Sequence, residues 1–90
     1  MPHHKDAIKR LKQNEKRRAR NRHFRSRMRN QIKKLRATIS EGDVEQAQSE
    51  LRTTMSTIHR VASKGVIHKN QAARKISRLN KAVKKLALGA

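Results

Sequence analysis

An all-α fold is predicted, a three-helix bundle with a long, overhanging N-terminal helix, and three observations predict it. Helix breakers are scarce: one Pro, at position 2, and three Gly, at 42, 65 and 89, in 90 residues. Apolar residues recur at spacings of three and four in three separate stretches, and strand-like alternation is absent. Finally, 25 Lys and Arg against 6 Asp and Glu give a formal net charge of +19, unevenly spread along the chain. The length suits one small domain over residues 1–90.

The first helix is expected over about residues 5–40. Phe24, Met28, Ile32, Leu35 and Ile39 step by four, four, three and four, which makes one stripe facing a core. Ser40-Glu41-Gly42 ends it, with Gly42 suited to the left-handed residue that follows a helix. Asp43 is a good N-cap for a second helix over about 44–63, and Gln46, three residues on, completes a capping box. That helix presents Val44, Ala47, Leu51, Met55, Ile58 and Val61 or Ala62 on one face. Its outer face shows Ser49, Glu50, Thr53, Ser56 and Thr57, and is expected to bind least. Lys64-Gly65-Val66 fits a Schellman stop with its apolar contact. The third helix, about 68–87, places Ala72, Ile76, Leu79, Val83 and Leu86 together.

Lengths decide the architecture. At 1.5 Å per residue the first helix is roughly 54 Å long and the others roughly 30 Å, so the first overhangs by about 24 Å. The overhang lies at its N-terminal end, because the apolar stripe starts only at Phe24 and a short turn at Gly42 ties the other end to the second helix. Residues 5–23 therefore have no partner helix. A core of about fifteen apolar positions is marginal without a partner molecule.

Charge divides the chain into zones. Residues 1–36 hold 15 basic and 2 acidic side chains, net +13; residues 37–63 hold 2 and 4, net −2; residues 64–90 hold 8 basic and none acidic. Two basic blocks thus flank a nearly neutral middle with regular apolar spacing, unlike a disordered basic tail. The implied partner is a polyanion. One Phe with no Trp or Tyr removes a base-stacking platform. The absence of Cys excludes disulfide frameworks, thiolate zinc sites and cysteine nucleophiles. No apolar run approaches a membrane span, and Met-Pro-His-His-Lys-Asp lacks a signal peptide's apolar segment, so a cytoplasmic chain is expected.

At 100° per residue, Lys5, Lys9, Lys12, Lys16 and Arg20 share one side of the overhang, Arg18 and Arg22 a second, Arg10 and Arg17 a third. Farther along, Arg25, Arg29, Lys33 and Arg36 form a stripe beside the apolar one, with Arg27 and Lys34 farther round. On the third helix Arg74, Arg78, Lys81 and Lys85 lie opposite Ile76 and Leu79, so two basic walls flank one small core. Six like-charged pairs at i,i+4 on the first helix oppose its folding by roughly 1 to 3 kcal/mol together. Asp6, near the positive end of the helix dipole and four residues before Arg10, offsets little of this. Phosphates on several sides reverse the sign of the problem, which predicts folding on binding and insertion between nucleic-acid segments.

The remaining polar residues carry less. The five histidines (3, 4, 23, 59 and 68) form no ligand set, and no metal or cofactor is expected. His68, near a helix start beside Lys69 and Asn70, is placed either to donate to a phosphate or to pack the loop. Glu41, Asp43 and Glu45 sit at a helix start, where acidic residues serve the dipole rather than acid–base chemistry. No glycine-rich phosphate loop or catalytic spacing occurs, so no enzyme and no small-molecule substrate is expected.

Lys9-Arg10-Leu11-Lys12-Gln13-Asn14-Glu15-Lys16-Arg17-Arg18, Arg20-Asn21-Arg22 and Ile32-Lys33-Lys34-Leu35 resemble the S-twenty family of bacterial small-subunit ribosomal proteins. The more distinctive part is Lys64-Gly65-Val66-Ile67-His68-Lys69-Asn70-Gln71-Ala72-Ala73-Arg74-Lys75-Ile76-Ser77-Arg78-Leu79, and the likeness covers nearly the whole chain. The resemblance implies a three-helix bundle that binds 16S ribosomal RNA in the cytoplasmic ribosome, as a monomer within the particle, and assists early assembly. It implies RNA-facing roles for Lys9, Arg10, Lys16, Arg17, Arg18, Arg20, Asn21 and Arg22, and for His68, Lys69, Asn70, Arg74, Ser77 and Arg78. Asp6 departs from the family's usual Ser, and a carboxylate there repels phosphate.

Composition alone does not separate RNA from DNA. Without stacking aromatics, RNA recognition rests on phosphate placement, 2′-hydroxyls and shape, and the missing heptads weigh against a basic zipper. A histone-like DNA-compacting protein remains the alternative. A membrane-active cationic peptide needs a broad exposed apolar face that residues 5–23 lack. The charge arrangement has a direct test: a peptide covering residues 1–25 is expected to show weak helical circular dichroism alone and to gain helix when a polyanion is added. Strong helicity without one counts against the account.

Overall fold

Each helix occupies a stretch of sequence free of glycine and proline. The computed structural model describes the backbone of residues 4–89 and the side chains of 5–89, and contains α1 (His4–Glu41), α2 (Val44–Ser63) and α3 (Lys69–Ala87). There is no strand among the described residues, and the fold is an all-α bundle with a long first helix. The 38 residues of α1 span about 57 Å, whereas α2 and α3 span about 30 Å each. The outcome is a rod with a thick end, 65 × 21 × 14 Å. Its radius of gyration, 17.9 Å, far exceeds the roughly 12 Å of a compact chain of this length.

The turns follow from their residues. Gly42 takes φ +80°, its N–H donating to the Ile39 carbonyl at 3.1 Å, and Asp43 Oδ1 accepts from the Gln46 N–H at 3.1 Å to start α2. The reciprocal half of the expected capping box is not made. Gln46 Nε2 donates to Glu50 Oε1 instead, at 3.1 Å, because a buried carboxylate needs a donor more than a solvated backbone N–H needs an acceptor. Past α2, Gly65 at φ +76° donates to the Ala62 carbonyl at 3.0 Å, and Val66 to that of Val61 at 3.2 Å. That is the Schellman pattern, and both Val61 and Val66 are buried.

α2 packs against α1 on one side and α3 on the other, while α1 and α3 barely meet. Leu35, Ala47 and Ile58 are fully buried at the centre, joined by Met28, Val61, Val66, Ala72, Ile76, Leu79 and Val83. Phe24, Ile32 and Ile39 are only half-buried, because a stripe covered by one helix keeps an open flank.

One expectation fails here: Glu50 is not on the outer face of α2 but buried at 6% exposure, and Thr54 and Thr38 are buried beside the apolar residues. A helix clamped between two others buries a wider arc than its apolar stripe, and polar residues fall within it. Thr54 Oγ1 donates to the Glu50 carbonyl at 2.7 Å and accepts from Gln31 Nε2 at 3.3 Å. Thr38 has one hydroxyl proton. Directed at the Lys34 carbonyl at 3.1 Å, it leaves Glu50 Oε2 without a partner; turned to the carboxylate, it stabilises the charge. That hydroxyl, followed by the Gln46 amide and the nearby Lys34 charge, holds Glu50 below the ordinary 4.5 although burial pushes the other way.

A folded pKa below the unfolded one contributes stability that is complete above about pH 4.5 and is lost as pH falls through the lowered value. The Glu50→Gln variant is therefore expected to lose less stability than the parent on acidification below that point, measured by urea unfolding at stepwise lower pH. Identical acid limbs would show that Glu50 titrates alike folded and unfolded.

Candidate nucleic-acid interface

Residues 5–20 are exposed without exception, so the N-terminal part of α1 buries nothing in the protein. Lys5, Lys9, Lys12, Lys16 and Arg20 run along one side of this rod, and Arg10 and Arg17 project from another. Ile8 and Leu11 are its exposed large apolar side chains, at 42% and 62%, too few for an apolar face. On the side opposite the first row, Arg18, Arg22, Arg25 and Arg29 with Asn21 and Ser26 line a shallow basic groove. Arg25 also reaches the loop after α2, its Nη2 donating to the Val66 carbonyl at 3.4 Å, which ties the root of the overhang to the thick end. Lys33 is exposed beyond it.

The groove has a continuation. Arg36 of α1 and Arg78 of α3 line one cleft where the two helices approach, so the two basic walls meet there. Arg74, Lys81 and Lys85 are exposed along α3, and Ser77 and Lys81 border the α2–α3 groove with His59 and Lys84. The helix starts differ in charge. Asp6 lies in the first turn of α1, and Asp43 and Glu45 begin α2, but α3 begins with no acidic residue. His68 caps α3, its Nδ1 accepting from the Asn70 N–H at 3.1 Å. With Nδ1 accepting, the neutral ring carries its proton on Nε2, and the ring is exposed. His68, Lys69 and Asn70 thus surround a positive helix end that no carboxylate of its own helix neutralises, a favourable place for an anion.

Sequence reasoning missed a third surface. A cleft of about 430 Å³ between α1 and α2 is lined by Phe24, Arg27, Arg52, Thr53, Ser56, Thr57, Arg60 and Val61. Arg52 and Arg60, eight residues apart on one helix, were the available signal; that Arg27 of α1 faces them is visible only once the helices pack. No group of three or more metal-ligating side chains occurs among the described residues; His3 and the side chain of His4 lie outside them. Nor is any described helix long and apolar enough to cross a membrane.

Small core, solvated rod and basic grooves together define a helical protein built to lie along a polyanion. The family described as Ribosomal protein S20 matches residues 2–84, and the chain belongs to it. Similar proteins share nearly their whole length with it. One from Magnetococcus marinus is 52% identical over 90 residues, covering 100% of this chain and 98% of its own. Another, from Oleidesulfovibrio alaskensis, is 55% identical over 83 residues, 92% of this chain and 95% of its own. A third, from Trichlorobacter lovleyi, is 50% identical over 86 residues, 96% and 99%. All three are named small ribosomal subunit protein bS20.

Removing residues 1–20 separates binding from folding. The truncated chain is expected to keep or slightly raise its urea midpoint, since residues 5–20 are exposed throughout and like-charge repulsion is relieved, while losing most affinity for a polyanion. A large drop in midpoint would show that the overhang supports the bundle.

Proposed function

We infer that this chain is a structural constituent of the small ribosomal subunit that binds 16S ribosomal RNA directly, through phosphate and shape recognition, and aids its folding and assembly. The carrying observation is the solvated rod of residues 5–20, a costly structure for a monomer in water and a useful one among phosphates. The family to which the chain belongs supplies the particle. The whole of residues 1–90 acts as one RNA-binding unit, monomeric within the particle, in the cytoplasmic ribosome. It transforms no substrate. Its action is to neutralise crowded phosphates so that RNA helices approach one another, while the bundle holds α1 in register.

The contacts fall to Lys5, Lys9, Arg10, Lys12, Lys16, Arg17, Arg18, Arg20, Asn21 and Arg22 on the overhang, and to Arg25, Arg29 and Lys33 at its root. On and before α3 they fall to His68, Lys69, Asn70, Arg74, Ser77, Arg78, Lys81 and Lys85. Arginines there bind phosphate through two N–H donors at once, lysines as point charges.

Engagement of about ten phosphates makes affinity for 16S rRNA fall by roughly 10³ to 10⁵ between about 50 and 200 mM salt. Filter binding across that range measures it, with duplex DNA as competitor. A flat salt response, or displacement from RNA by a modest excess of duplex DNA, would overturn the reading.

A further inference from the structure

The cleft between α1 and α2 lies outside the two basic walls and is chemically distinct from them. Three guanidinium groups, from Arg27, Arg52 and Arg60, line it together with the hydroxyls of Thr53, Ser56 and Thr57, and no carboxylate does. All three arginines are exposed. Guanidinium groups around one concavity repel each other unless an anion sits among them, and their planar forks match phosphate oxygens.

The threonines narrow the occupant further. Thr57 Oγ1 donates its proton to the Thr53 carbonyl at 3.0 Å, and that of Thr53 points to the Ser49 carbonyl at 3.5 Å. With those protons directed into the helix, each hydroxyl offers lone pairs to the cleft. A phosphate has no proton to give them at neutral pH, whereas a ribose 2′-hydroxyl does. Guanidinium donors for phosphate and hydroxyl acceptors for a 2′-hydroxyl, brought together in one cleft, match the two kinds of group that an RNA backbone presents.

Position matters as much as chemistry. Arg27 lies on the same side of α1 as Lys12, Lys16 and Arg20, so the cleft extends that row onto α2. The groove of Arg18, Arg22, Arg25 and Arg29 lies on the opposite side of α1 and leads towards Arg78 of α3. We propose that the α1–α2 cleft is a ribose-phosphate site, in which Arg27, Arg52 and Arg60 hold the backbone and Thr53 and Thr57 read the 2′-hydroxyls of an RNA segment distinct from the one held by the α1–α3 side. The proposal rests on the RNA-binding reading above and adds α2, the helix expected to bind least, to the contact surface. The chain is then a strut with RNA on both sides.

The test is hydroxyl-radical footprinting of the full-length protein on transcribed 16S rRNA, comparing the parent with two variants. One carries Arg27→Ala, Arg52→Ala and Arg60→Ala; the other carries Arg18→Ala, Arg22→Ala and Arg29→Ala. The first is expected to re-expose one RNA segment and to reduce the log–log salt slope by about 2 to 3, the share of three phosphate contacts. The second is expected to re-expose a different segment. Unchanged footprint and slope in the first variant, or the same segment re-exposed by both, would overturn the proposal. The single Arg52→Glu substitution on an exposed face of α2, checked by circular dichroism to keep its helices, must weaken protection of the first segment, or the cleft is not the site. Replacing Thr53 and Thr57 by Val is expected to lower affinity for the RNA while leaving affinity for DNA of the same sequence unchanged. Equal effects on both, or none on either, would remove the 2′-hydroxyl contact. If the parent protects no segment of 16S rRNA, the RNA-binding reading falls and the cleft proposal with it; a failure confined to the cleft variants sinks the second alone.

Discussion

Repulsion among unpaired cations is the constraint around which this molecule is arranged. With 25 basic side chains and 6 acidic ones, at least 19 cations have no carboxylate partner of their own, whatever the fold. Over residues 5–22 the spacing is about one net charge per 4 Å of helix, well inside the Debye length of about 8 Å at physiological ionic strength, so solvent ions screen neighbours only partly. Spreading the charge over a rod reduces the self-energy that a compact ball would concentrate. The extended shape and the charge therefore have one cause, and both become favourable when phosphates replace water around the rod.

The thick end answers a different need. A bundle of two short helices and half of a long one buries few large side chains, and its centre is Leu35, Ile58 and Val61 with two buried threonines. Such a core orients better than it stabilises. Local devices supplement it: the Asp43 and His68 caps, the Schellman turn at Gly65, and the bond from Arg25 to the Val66 carbonyl. That last contact ties the root of the rod to the loop after α2, while the direction in which the rod leaves the bundle is set by the packing of Met28, Ile32 and Leu35 of the same helix in the core. A partner that binds only the folded arrangement then adds its binding free energy to a marginal fold.

How much was legible in the sequence depended on whether the controlling interaction was local. Gly65-Val66 and Asp43 act within five residues, and their hydrogen bonds could be read from residue type and spacing. The all-α class followed from apolar period and the scarcity of breakers. Glu50 and Thr54 were misjudged or missed because periodicity treats polar as outward; their polar partners across the helix pair, Thr38 for Glu50 and Gln31 for Thr54, lie twelve and twenty-three residues away on another helix. The half-made capping box has the same origin, since Gln46 turned to a carboxylate whose burial no local pattern signals. For the interface, the rows on α1 were visible as rows, while the α1–α2 cleft was not, because Arg27, Arg52 and Arg60 converge only through helix packing.

A helix in the middle of a three-helix layer has two faces occupied by its neighbours and one left to solvent. For α2 the open face carries Thr53, Ser56 and Arg60, and its flank towards α1 is the cleft. Basic residues on α1 alone could neutralise phosphate, but one rod with charge on every side has no means of selecting which strand lies where. Packing α2 against α1, with α3 carried on the other side of α2 and approaching α1 only near Arg36, breaks that symmetry: one flank of α1 gains hydroxyl acceptors beside guanidinium donors, the other a row of arginines that leads towards Arg78 of α3. The bundle thereby turns an isotropic polycation into an object with two distinguishable sides, and an object with two sides can set the relative position of two RNA segments where a flexible basic peptide only draws them together.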